Sequence, residues 1–134
     1  MTTFQIVALY IALNIILAVF FTYRVISVRI GNRVSMGDNG DTSLLARIRT
    51  HGNFTENAPL ALLGLLGLAM LNAPVILLHI FGSMFIFGRV LHAFGMAGKH
   101  ALGKTRPIGM MMTLIVHLGQ AIALLYLVFT FNVI

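Results

Sequence analysis

The stretch FQIVALYIALNIILAVFFTY, residues 4–23, is the segment on which the fold turns. It carries no charge, and its length matches the roughly 20 helical residues needed to cross a hydrocarbon core of about 30 Å. In lipid every backbone N–H and C=O must be satisfied within the chain, so such a run predicts a helix and not an open strand. No basic residue precedes it and no small-residue cleavage site closes it, so it is expected to be retained as a first span and not removed as a leader.

The rest of the chain repeats the theme. Of 134 residues 59% are hydrophobic and 9% charged, a composition that excludes an ordinary soluble globule. The expected fold is an all-α, membrane-spanning four-helix bundle with up-down-up-down topology, forming a single domain over residues 1–134, with helices at about 4–23, 42–71, 74–97 and 107–131. Between the first two helices, Arg24, Arg29 and Arg33 followed by Gly37-Asp-Asn-Gly40-Asp41 predict a loop. Asp41, Thr42 or Ser43 can cap the second helix, because their side-chain oxygens accept from the free amides of its first turn. That helix begins polar, becomes lipid-like only from Ala58, and is expected to kink at Pro59. Asn72-Ala73-Pro74 reads as a tight turn, and Pro107 opens the last helix after a second basic loop with Lys99, His100, Lys104 and Arg106.

Every lysine and arginine other than Arg89 falls on one side of this layout. The positive-inside rule therefore predicts cytoplasmic basic loops and both termini on the non-cytoplasmic side. The same split explains the net charge of +6 better than nucleic-acid binding does, and no nucleic-acid partner is expected. Cysteine is absent, so any thiol chemistry needs a thiol brought by the substrate.

Polar chemistry concentrates on two helices. Arg49, Asn53 and Glu56 share one face of the second at i, i+4 and i+7, and Arg89, His92 and Met96 do the same on the third. The hairpin centre lies between Asn72 and Ala73, equidistant from Glu56 and Arg89 and also from Asn53 and His92. Both pairs are therefore expected to be level in the cytoplasmic half of the membrane. An ionisable group there is costly unless paired or facing a wet cavity, so Glu56 and Arg89 are read as marking a functional site, or else as a structural ion pair that holds helices together, with Arg89 bracing Glu56 or a neighbouring helix. A ligand suited to this face is amphipathic. Its carboxylates would meet Arg24, Arg49 and Arg106, its ammonium or amide Glu56 and Asn53, and an apolar co-substrate would arrive from the lipid.

The run Arg47-Ile-Arg-Thr-His-Gly-Asn-Phe-Thr-Glu56 with Pro59, together with Gly88-Arg-Val-Leu-His-Ala-Phe-Gly95 and Gly31-Asn-Arg-Val-Ser-Met-Gly-Asp38, resembles the MAPEG family of membrane-associated proteins in eicosanoid and glutathione metabolism, its bacterial branch above all. The resemblance covers nearly the whole chain. It implies a homotrimer in the bacterial inner membrane, with glutathione as co-substrate bound between subunits on the cytoplasmic side. The glutathione-binding positions it implies are Arg24, Arg49, Asn53, Glu56 and His92. It further implies a transferase or peroxidase acting on a lipophilic small molecule or lipid, and its non-catalytic members supply the alternative, a protein that binds and presents a lipid. A nearby cation favours the nucleophilic thiolate, and Arg106 is the candidate for this catalytic role. The chain departs from prostaglandin-synthase-like members in carrying Gly109 and Met110 after Pro107-Ile108, where an arginine follows in them. Met96 stands in place of a tyrosine, and Gly52 in place of another arginine.

The other features read as structural. His79 and His117 sit singly in apolar helices, where a packed, hydrogen-bonded histidine is the better account. His51, His92 and His100 lack ligand spacing, and no metal is expected. The residues Gly64, Gly67, Gly82 and Gly88 suit close helix approach, and Met110-Met111-Met112 suits packing or lipid contact.

Overall fold

A computed structural model describes residues 1–97 and 103–130. Lys99 and His100 of the second basic loop, and position 131 of the expected fourth helix, lie outside the described residues. The described chain is an all-α bundle of α1 (Thr3–Asn32), α2 (Thr42–Met70), α3 (Val75–Ala97) and α4 (Thr105–Thr130). Three of these, α1, α3 and α4, are long and apolar enough to cross a membrane. The α2 helix has the length, about 44 Å at 1.5 Å per residue, but its first turns are polar. The outward faces are what lipid requires: Ile16, Val19, Leu63, Ile76, Leu118 and Ile122 are all exposed.

Local chemistry sets the helix ends. Thr2 caps α1, accepting from the Gln5 N–H at 3.2 Å while the Gln5 side chain accepts from the Thr2 N–H at 2.8 Å. The helix does not stop at residue 23. It continues through Arg24 and Arg29 to Asn32, which corrects the expected loop. Charge alone does not end a helix, and no Gly or Pro interrupts this one before Gly31. What closes it is Arg33 at φ 54°, with the Val34 N–H reaching back to the Arg29 carbonyl at 2.9 Å. The Asp41 carboxylate caps α2, accepting from the amides of Ser43 at 2.8 Å and Leu44 at 3.1 Å. The α2 helix is continuous through Pro59. The turn to α3 closes with Asn72 at φ 53° and the Ala73 N–H on the Leu68 carbonyl at 2.9 Å. The α4 helix starts two residues earlier than expected, at Thr105, so Arg106 belongs to its first turn.

The α2–α3 hairpin is the centre. The α1 helix packs on one side of it and α4 on the other, and α1 and α4 do not meet. The core runs along this hairpin through Phe54, Ala61, Leu65, Leu68, Leu78 and Phe85. Polar side chains inside the bundle are bonded across helices. The Tyr10 hydroxyl meets His79 Nδ1 at 3.0 Å, His117 Nε2 meets Asn57 Oδ1 at 3.2 Å, and the Gln120 amide donates to the Ala61 carbonyl at 3.0 Å.

The tightest joint is α3 against α4. A Cβ on Gly88 would lie 3.0 Å from the Gly109 carbonyl oxygen, and one on Gly109 would lie 2.6 Å from the His92 nitrogen. Only glycine lets two backbones approach this closely. The consequence is positional: Arg89 and His92 are pressed onto the start of α4.

Candidate functional site

At the end of the bundle where α1 finishes and α4 begins, α2, α3 and α4 diverge around a cleft of about 750 Å³. Arg49, Asn53 and Glu56 descend its α2 wall one turn apart, His92 and Met96 come from α3, and Arg106 comes from α4. A second cavity of about 550 Å³ shares Asn53, His92 and Arg106 with the first and is closed by Pro107, Met110 and Met111. The first bears both signs of charge on an otherwise largely apolar lining, with Asp38 of the α1–α2 segment on its rim. The second is lined by thioethers and a proline ring.

Arg49, Glu56 and Arg106 are exposed to the cleft, Asn53 is half-buried, and His92 is buried in its α3 wall. The α2 residues come together because their spacing keeps them on one helical face. Those of α3 and α4 join them through the glycine contact between Gly88 and Gly109.

The expected Glu56–Arg89 ion pair is not formed. Glu56 faces the cleft, whereas Arg89, 1% exposed, turns into the bundle. The hairpin arithmetic fixed their height but not their azimuth. Glu56 lies about 60° around α2 from Asn53, and it is Asn53 that points at Arg89. The guanidinium instead meets neutral acceptors. Its Nη1 donates to Asn53 Oδ1, its Nη2 donates to the Gly109 carbonyl at 3.2 Å, and the Met110 sulfur is 4.0 Å away. Its Cζ stands 5.8 Å from the Phe85 ring centroid, and its Nε is buried without a partner. Asn53 and His92 both border the cleft, but Asn53 bonds to Arg89.

Arg24 is not brought to this cleft. It lies on the opposite, α1 side of the hairpin, where its guanidinium is 5.9 Å from the Phe20 ring centroid. It borders a separate apolar hollow of about 200 Å³ with Phe21, Val90 and Phe94. The Arg24 carbonyl accepts from Arg47 Nη1 at 3.1 Å, which ties the end of α1 to α2. One cleft residue went unread in the sequence: Asp38, taken only as part of a turn. Its signal was a carboxylate shortly before a helix that carries Arg47 and Arg49 in its polar N-terminal part.

The MAPEG family profile matches residues 7–126 of the chain. Two curated relatives, both named inner membrane protein YecN and from Escherichia coli K12 and Escherichia coli O6:H1, are each 36% identical over 106 residues, covering 79% of this chain and 79% of the relative. No solved structure matches. With the four-helix membrane bundle and a profile match along nearly its whole length, the chain belongs to the MAPEG family.

Proposed function

We propose that the protein is a glutathione-dependent transferase or peroxidase of the bacterial inner membrane, acting on lipophilic electrophiles or hydroperoxides. The observation that carries this is the convergence of Arg49, Asn53, Glu56, His92 and Arg106, from three helices, on one cleft bearing both signs of charge, beside a cavity to which Pro107, Met110 and Met111 contribute. A tripeptide with two carboxylates, an ammonium and a thiol matches the first cavity in charge, and Pro107, Met110 and Met111 of the second offer an apolar acceptor a surface to lie against. Arg106 lines both cavities, which supports reading it as the cation that favours the thiolate.

Two further expectations belong to this reading. The arginines at the cleft end favour a cytoplasmic opening, where reduced glutathione is found, with both termini on the far side. A homotrimer would let α1 of one subunit bring its Arg24 to a neighbour's cleft, a role for Arg24 that its own subunit does not offer. The name of the Escherichia coli relatives supports the inner membrane.

Titrating glutathione into the detergent-solubilised protein while following ultraviolet thiolate absorbance tests the proposal, with Glu56→Ala as the control. Saturable absorbance in the wild type that the variant loses is the expected result, and no binding at all refutes it. Binding without a thiolate signal favours a non-catalytic member that holds and presents a lipid. That second reading has its own observation, since Gly109 and Met110 put no cation at those two positions of α4.

A further inference from the structure

The bond between Arg89 and Asn53 determines more than packing. A guanidinium has five N–H donors and no acceptor, so the amide atom that faces it has to be the oxygen. Asn53 Oδ1 accepts from Arg89 Nη1. The planar amide then directs its NH2 group the other way, and Asn53 borders both cavities of the cleft. This NH2 has no partner among the described residues, unlike that of Asn57, which donates to the Asn53 carbonyl at 2.7 Å.

Arg89 is held in place to do this. The Gly109 carbonyl accepts from its other terminal nitrogen at 3.2 Å, and the Phe85 ring flanks it. Turning the Asn53 amide over would set two donors against each other inside the bundle and strip Arg89 Nη1 of its acceptor. No carboxylate lies within ion-pair distance of Arg89 among the described residues, so its charge stands undiminished behind Asn53 and favours a negative group in front of it.

We propose that Arg89 is a positioning residue that locks the Asn53 NH2 toward the cleft, making the middle of the cleft a site for a hydrogen-bond acceptor of the ligand, a carboxylate or a peptide carbonyl. Along α2 the cleft thus presents a cation at Arg49, a donor pair at Asn53 and an anion at Glu56. That order sets the direction in which a zwitterionic peptide lies. The proposal deepens the glutathione reading and rests on it for the identity of the ligand, but the direction of the amide can be measured without any ligand.

The experiment uses the full chain in detergent micelles, labelled with 15N-asparagine, with the Asn53 NH2 signals assigned by their loss in Asn53→Leu. In the wild type and in Arg89→Lys, whose ammonium is also donor-only, those signals show contact with water from the cleft. In Arg89→Gln, which carries an acceptor of its own, that contact is lost or averaged. In parallel, calorimetric titration with glutathione is expected to show binding about tenfold or more weaker for Asn53→Leu and Arg89→Gln, while Arg89→Lys stays within about threefold of wild type. Thermal midpoints of all variants separate lost affinity from lost fold. A wild-type NH2 shielded from water, or equal affinities for Arg89→Gln and Arg89→Lys, overturns the proposal. Should Arg89→Gln not fold, the wild-type water contact and the Asn53→Leu affinity still decide. If the wild type binds no glutathione while its NH2 signals behave as stated, the glutathione reading falls and the positioning role stands.

Discussion

Replacing Gly109 with alanine tests the joint that assembles the cleft. A Cβ added there would lie 2.6 Å from the His92 nitrogen and 2.9 Å from the His92 Cβ, and it would also strike the Gly88 carbonyl. Two of these three neighbours are backbone, so neither a rotamer change nor a flexible tip can relieve the clash, and α3 and α4 have to separate. Gly67→Ala is the matched control. Its Cβ would meet only the Leu124 side chain, at 3.1 and 3.7 Å, and that methyl end can swing aside. Both substitutions gain the same helix propensity, about 1 kcal/mol, so it cancels in the comparison. What remains is overpacking against backbone, about 1–3 kcal/mol. Unfolding of both variants in the same detergent should therefore place Gly109→Ala below Gly67→Ala by that amount, with Gly67→Ala at or above wild type. Glutathione affinity should fall in Gly109→Ala alone, since Arg89 bonds to the Gly109 carbonyl and His92 packs on that residue. Equal stability of the two variants would show that the helices are not held at backbone contact, and the account of how the site is assembled would fail with it.

Glu56→Ala should change unfolding stability by less than about 0.5 kcal/mol, because the carboxylate is exposed and has no ion pair among the described residues, while abolishing glutathione binding. A loss of several kcal/mol would mean that Glu56 is paired with a buried cation after all. Asp41→Ala removes both cap bonds of α2 and the bond from Asn32 Nδ2 at 2.9 Å, and should cost about 1 kcal/mol in chemical denaturation. Tyr10→Phe deletes the hydroxyl bonded to His79 Nδ1, tying α1 to α3, and should lower stability by about 1 kcal/mol; no loss in the same assay would show that water or lipid already satisfies that histidine.

How much of this was legible in the sequence depends on which coordinate is asked for. The existence of each helix follows from long uncharged runs, since lipid leaves the backbone no alternative. The end of α1 was missed because a charge marks the edge of the hydrocarbon, whereas a helix stops at its cap, here Arg33 in the left-handed region after Gly31-Asn32. The meeting of the two polar faces was legible too: counting back from the turn at Asn72 pairs residue 53 with 92, and both border the cleft. Rotation about the helix axis was not legible. It is set where Gly88 meets Gly109, a contact between segments far apart in the chain whose signal is the absence of side chains. That contact offers Arg89 Nη2 a backbone carbonyl of α4, and Asn53 accepts from Nη1. Once neutral groups bond the two terminal nitrogens of the buried guanidinium, Glu56 has no internal cation among the described residues to neutralise it. The error about the ion pair and the chemistry of the cleft therefore have one cause: because Arg89 bonds inward, the carboxylate of Glu56 is left facing the cleft, where a bound cation can use it.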